Sequence, residues 1–358
     1  MPSWLPSIAY PPPDQHGFWE PVTSTLQWCE EVSRLCILYQ SRPNKLQDYY
    51  ATYYSAEIMN TLTNLTFWYC AWKGIQSCRR NSHDKVFEVA YYGYMLVGFG
   101  SFMFHTTLKY PWQLVDELNM IYTTCLMGYA SLSYSRPTAF RAWLALLCVL
   151  FCAFITAYYH YLQDPVFHQN VFGAMTLWLV FRSAWLMEKT LRPRWRKSME
   201  SDRVAKEKAG VLVPSRDEQE RLNTRDLHIL RNMWILVAWG VSVFLTGFAV
   251  WNVDNLCCST LRSWRREVGL PWGLFLEGHA WWHLFTGFGS YSYIVWGIYL
   301  RHVLNGKQDE YELVWPRLWC LPEIVRVSNL SKKANGKVPN GHLNGHLNGH
   351  LNGHLKHG

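Results

Sequence analysis

No pair of cysteines is spaced CxxC in this chain of 358 residues, although it carries ten cysteines, so the spacing gives no ground for a cysteine-built metal or redox site. Cys70, Cys125, Cys148 and Cys152 lie inside apolar stretches, where they read as small hydrophobes. The proline-rich N-terminus lacks a basic stretch followed by an apolar core, which sets aside a cleaved signal peptide. Nucleic-acid motifs are missing too. The Lys and Arg residues behind the net charge of +8 sit in connections between apolar segments. That pattern retains loops beside a membrane, and no nucleic-acid partner is expected.

Aromatic residues, by contrast, make up 16% of the chain, with 20 Trp. They cluster at the ends of apolar stretches, as amphipathic rings do at a membrane–water boundary. A mean hydropathy slightly below zero hides this, because it averages apolar blocks with a charged loop at 188–231 and a polar tail from 305. A hydrocarbon core of about 30 Å needs roughly 20 mostly apolar residues per helix. Windows at 54–72, 86–105, 114–133, 142–162, 167–187, 233–252 and 274–300 meet this to different degrees. The expectation is an all-α membrane protein, a seven-transmembrane helix bundle. Its strongest spans are ALLCVLFCAFITAYY and WILVAWGVSVFLTGFAVW; the more polar windows take their assignment from these two.

Cytosolic loops retain Lys and Arg. Lys73, Arg79, Arg80 and Lys85 in loop 73–85, with Lys189, Arg192, Arg194, Arg196 and Lys197 in loop 188–231, place these loops in the cytosol. The N-terminus is then lumenal and the C-terminus cytosolic, although Arg262, Arg265 and Arg266 in loop 253–273 run against the bias. Three regions follow: a lumenal segment 1–53, a membrane domain 54–304, and a cytosolic, largely disordered tail 305–358 that ends in four NGHL units at 340–355.

Ionisable groups at membrane depth cost about 2.5–3.5 kcal/mol each at a helix centre and call for a reason. In HAWWH, His279 and His283 stand four apart on one helical face, the spacing of a metal pair. The second span ends in GSFMFH, where Ser101 and His105 again share a face, and the third opens with QLVDEL, carrying Asp116 and Glu117. The alternating direction of the spans brings all these groups to the lumenal end. Three neutral imidazoles leave the fourth tetrahedral position of zinc open, the arrangement of a catalytic site. Of the other histidines, His160 reads as interfacial and His168 as a packing or hydrogen-bonding residue.

TSTLQWCEE at 23–31, AEIMNTLTN at 56–64, GSFMFHTTLKYPWQLVDELNMIY at 100–122, DPVFHQ at 164–169, WNVDN at 251–255 and HAWWHLFTGFGSY at 279–291 together resemble the alkaline ceramidases, in particular the fungal phytoceramidase and dihydroceramidase type. The resemblance runs from about Gly17 to about Arg301, outside loop 188–231 and the tail. It implies a zinc-dependent hydrolase that cleaves the amide bond of a ceramide, phytoceramide or dihydroceramide, in the endoplasmic reticulum or Golgi membrane. His105, His279 and His283 would hold Zn2+, Ser101 would bond the nucleophile or the oxyanion, and Asp116 would shuttle the proton. Asp254 would orient a zinc histidine.

The resemblance further implies Ca2+, a hard cation that takes oxygen ligands. The matching positions are Trp28 through its carbonyl, Glu30, Asp48 and Glu57, with Gln27 where an Asp is usual. Asp48 enters this set only when residues 32–47, which interrupt the family motif and carry the marks of a retained intron, are left out. A disulfide is expected between Cys29 and Cys258, with Cys257 as the alternative partner. Two other classes compete with the enzyme: a seven-span zinc receptor of the progestin and adiponectin type, and a metal transporter.

Overall fold

The computed structural model describes residues 6–9, 17–26, 29, 49, 51–193, 215–318 and 320–330. The stretch 32–47 and the NGHL units lie outside the described residues. Helices dominate: α1 (Ile58–Thr63), α2 (Leu65–Arg80), α3 (Lys85–Thr107), α4 (Tyr110–Leu132), α5 (Thr138–Leu162), α6 (Pro165–Leu191), α7 (Arg216–Leu256), α8 (Cys258–Val268) and α9 (Gly278–Leu304). Their ends follow local chemistry. The Asp164 carboxylate accepts from Val166 N at 2.9 Å with Pro165 opening α6, and Ser215 caps Glu218 N at 3.2 Å to open α7.

Helix α7 corrects the reading of 188–231 as a loop. It has 41 residues, or roughly 60 Å, about twice a membrane core. Its charged first turns stay helical because Glu218 pairs with Arg221 three residues on, while Arg225 ties to Asp226 and Asp309. Ile229 and Leu230 already belong to the core.

Helix α9 is the buried centre. Its Tyr291, Trp296 and Tyr299 pack with Phe67 and Cys70 of α2, Tyr91 and Tyr94 of α3, and Met233 and Leu236 of α7. Facing glycines bring α7 and α9 close: a Cβ on Gly289 would stand 3.2 Å from the Gly240 carbonyl oxygen. Helix α5 is peripheral. Two helices, α5 and α7, are long and apolar enough to cross a membrane. Leu146, Leu150 and Phe154 on α5, Leu177 and Phe181 on α6, and Leu245 and Phe248 on α7 all face outward. Large apolar side chains exposed along three long helices belong in lipid, so this is a membrane protein.

The tail does not begin at 305. Strands β1 (Tyr311–Val314) and β2 (Glu323–Arg326) form an antiparallel hairpin in which Tyr311 faces Arg326 and Leu313 faces Ile324. Docking on the α2–α3 turn stabilises so short a hairpin. Tyr311 OH donates to Asn81 O at 3.1 Å, and Arg326 N to Asn81 Oδ1 at 3.1 Å. His83 links the Ile324 carbonyl, 3.0 Å from its Nε2, to His302, 2.8 Å from its Nδ1.

Burial lowers the His83 pKa from 6.5 to about 4, although the Ile324 carbonyl and the nearby Glu323 and Asp84 carboxylates oppose the shift. A base with a depressed folded pKa stabilises the docked state fully above its unfolded value and loses that contribution as pH falls through the folded one. Hairpin docking should therefore weaken as pH drops from about 6.5 to about 4. Amide exchange at 311–314 and 323–326, corrected for intrinsic rates, measures this; flat protection across the window would contradict it.

Candidate active site

The site forms where α3 ends and α1, α4 and α9 begin. Ring centroids of His105 and His279 are 5.0 Å apart, and each lies 4.7 Å from that of His283. All three rings are buried, and one nitrogen from each lies within 4.8 Å of the others. The helical i,i+4 spacing aligns His279 with His283 on α9; the last turn of α3 supplies His105.

Polar side chains surround the rings of His105 and His283. His105 Nδ1 makes a short contact with Glu57 Oε2. The carboxylate accepts, so Nε2 carries the lone pair, and that atom is buried without a hydrogen-bond partner. His283 Nδ1 lies 3.0 Å from Thr63 Oγ1. The Thr63 hydroxyl also reaches Met59 O at 2.9 Å and Asn60 O at 3.2 Å. The Asn64 amide donates to Asn60 O at 2.8 Å and Ser101 Oγ at 3.0 Å, and its nitrogen also lies 3.4 Å from His283 Nδ1. His283 Nε2 faces Ser101 Oγ at 3.5 Å. The donor set fits a metal that takes neutral imidazole nitrogen. His279 sits in the first turn of α9, whose Gly278 N donates to Asp254 Oδ1 at 3.1 Å. Asp254 thus holds the backbone that carries His279.

Ser101 accepts from Asn64, which leaves its own hydrogen for the site, and Asp116 lies close enough to interact with that hydroxyl. Gly100 makes this approach feasible: a Cβ there would stand 2.8 Å from Asp116 N and 2.9 Å from its Cα. Glu117 turns away from the histidines. Its Oε2 accepts from Tyr159 OH at 2.5 Å and Gln113 Nε2 at 3.1 Å, while His168 Nε2 donates to its carbonyl at 2.8 Å. That buried network ties α4 to α5 and α6, and His168 is a bonding residue within it.

The N-terminal segment covers this end. Ala56 N donates to Thr106 O and Glu57 N to His105 O, each at 3.0 Å, and Thr25 N donates to Gln113 Oε1 at 2.8 Å. Cys29 and Cys258 form a disulfide with a Cα separation of 5.3 Å, and Cys257 stays a free, exposed thiol. Arg265 donates to the Cys29 carbonyl at 2.8 Å. Of the five calcium positions, Gln27, Trp28, Glu30 and Asp48 lie outside the described residues, and Glu57 stands against His105.

The family described as Ceramidase matches residues 20–325, which takes in every group named at this site. The chain belongs to the alkaline ceramidase family. It is similar to the protein named alkaline ceramidase YPC1 of Saccharomyces cerevisiae, 32% identical over 320 residues covering 88% of each chain. Alkaline ceramidase 3 of Mus musculus is 30% identical over 319 residues, 87% of this chain and 98% of that protein. An alkaline ceramidase of Arabidopsis thaliana is 24% identical over 275 residues, 77% of this chain and 83% of that protein. This ceramidase is a hydrolase by family, which sets aside the receptor and transporter readings. Sequence reasoning passed over Asn60, Thr63 and Asn64 as functional residues. A signal was present: with Glu57 they recur every three or four positions through a stretch that also holds Ile58, Met59 and Leu62.

Proposed function

We propose that this protein hydrolyses the amide bond of ceramides, releasing a sphingoid base and a free fatty acid, with a zinc ion held by His105, His279 and His283. The observation that carries this reading is the buried, partnerless Nε2 of His105 in a buried triad whose ligand nitrogens lie within 4.8 Å of one another, next to Ser101 and Asp116. A zinc ion there supplies Lewis acidity toward the scissile carbonyl and lowers the pKa of water.

The chain's own groups do the rest. Asp116 takes the proton that water loses as its oxygen bonds to the carbonyl carbon. It then delivers that proton to the amide nitrogen, which leaves as an amine when the C–N bond breaks. Ser101, with its oxygen held by Asn64, turns its hydrogen toward the negative charge that develops on the carbonyl oxygen. Thr63 and Glu57 keep the His283 and His105 rings in the tautomer and orientation that the metal needs.

This reading includes seven spans, with α1 and α2 as one span followed by α3, α4, α5, α6, α7 and α9. The site then lies at the lumenal end of the bundle in the endoplasmic reticulum or Golgi, and phytoceramide or dihydroceramide is the substrate. Calcium at Gln27, Trp28, Glu30, Asp48 and Glu57 belongs to the proposal as an ion that fastens the N-terminal segment, and no catalytic step passes through it.

Incubating the purified protein with a panel of ceramides, with bound zinc measured in parallel, tests the proposal. Release of sphingoid base that a chelator stops and zinc restores is expected; release indifferent to chelation would refute the zinc-dependent reading. A Glu57→Gln protein should retain its fold and lose metal affinity by about 10–100-fold, the usual effect of removing a carboxylate behind a metal-binding histidine. Titration with a competing chelator reads this directly, and wild-type affinity would show that Glu57 does not position His105.

A further inference from the structure

A polar cavity, which hydrolysis does not use, opens at the end of the bundle opposite the histidines. It measures about 450 Å3 and lies where α3 and α5 begin and α4 and α9 end. Helix α3 has 23 residues, so this cavity and His105 are separated by roughly 35 Å, about the depth of a membrane core. Lys85, Arg136, Arg141 and Arg301 line the cavity against one carboxylate, Asp84.

Two of the four cations are already compensated. Arg301, whose side chain is 14% exposed, lies 3.3 Å from Asp84 and donates to the Ala130 carbonyl, with its guanidinium 5.3 Å from the Tyr134 ring centre. Lys85 pairs with Glu88 at 3.0 Å. Among the described residues no carboxylate pairs with Arg136 or Arg141; Arg136 rests over the Phe140 ring at 5.4 Å, and Arg141 repels Arg301. Like charges gathered at one opening create a positive potential that an anion relieves. Helix α5 adds to it, because its N-terminus adjoins Arg136 and no side chain caps its first N–H groups. Phe140 and Trp143, both exposed, stand beside the opening as aromatic residues do at headgroup level.

We propose that this cavity binds a phosphomonoester group, and that its bearer is an anionic lipid headgroup in the leaflet at that end of the bundle. The guanidinium forks of Arg136 and Arg141 clasp the phosphate oxygens, and the pinned Arg301 provides a fixed charge beneath them. The lipid's acyl chains remain in the bilayer beside α5. The site is separate from the hydrolytic centre and does not rest on the reading of that centre.

The test is retention of a fluorescent phosphatidic acid, with phosphatidylcholine as control, on the purified full chain in detergent. Phosphatidic acid should bind about ten-fold more tightly or better. An Arg136→Lys/Arg141→Lys protein, which keeps the charge and loses the forks, should forfeit about ten-fold of that preference while its zinc content and ceramide hydrolysis stay as in the parent. Inorganic phosphate at constant ionic strength separates the sources. Displacement of the lipid by phosphate alone supports the phosphate site and makes the free ion a ligand as well, whereas phosphatidic acid that phosphate does not displace supports the headgroup as bearer. Equal retention of the two lipids, or an undiminished preference in the lysine protein, would overturn the proposal.

Discussion

His283→Ala is expected to remove bound zinc and to lower ceramide hydrolysis by at least about a thousand-fold, because the Lewis acid departs with its ligand. His105→Ala and His279→Ala should behave alike, since each removes one of only three nitrogens in the cluster. Two remaining imidazoles hold the ion too weakly for it to survive purification. The cavity left at His283 lies among Thr63, Asn64 and Ser101, polar groups that water can satisfy, so the fold should persist. Peptide mapping that still finds Cys29 linked to Cys258 would document that. A variant with full zinc content and normal turnover would remove the histidine centre from the mechanism.

Asp116→Asn has the second largest expected effect, with a different signature. Asn has nearly the same size and can still bond Ser101, so metal content should match the parent. It cannot accept the proton from water, and turnover should fall by about 10²–10⁴, the range associated with a positioned general base. The neighbouring Glu117 offers no substitute, because Tyr159 and Gln113 already occupy its carboxylate. Normal turnover in this variant would place the proton shuttle elsewhere.

Much of the site was legible along the chain. HAWWH and GSFMFH carry their information in i,i+4 spacing, which any α-helix converts into a shared face. The alternation of spans then assigned His105, Asp116 and His279 to one end without knowledge of which helices touch. The partners of the histidine nitrogens were not legible in this way. Glu57 and His105 are 48 residues apart, and Thr63 and His283 are 220 apart, so only helix packing pairs them. Proximity in sequence also misled at 188–231, where charge suggested a loop. One ion pair three residues apart and a capping serine keep that stretch helical from Arg216.

The sequence by itself determined the helical class, the apolar stretches and the three histidines that gather in the fold, because each of these is a matter of local composition and period. Tertiary structure alone decided that Glu57 stands against His105 and Thr63 against His283, and that Asn64 donates to the oxygen of Ser101. It also decided that residues 311–326 dock as a hairpin on the α2–α3 turn. The reason is the same throughout: a buried hydrogen-bonding group must find a partner, and which partner it finds depends on how the helices pack rather than on where the residue stands in the chain.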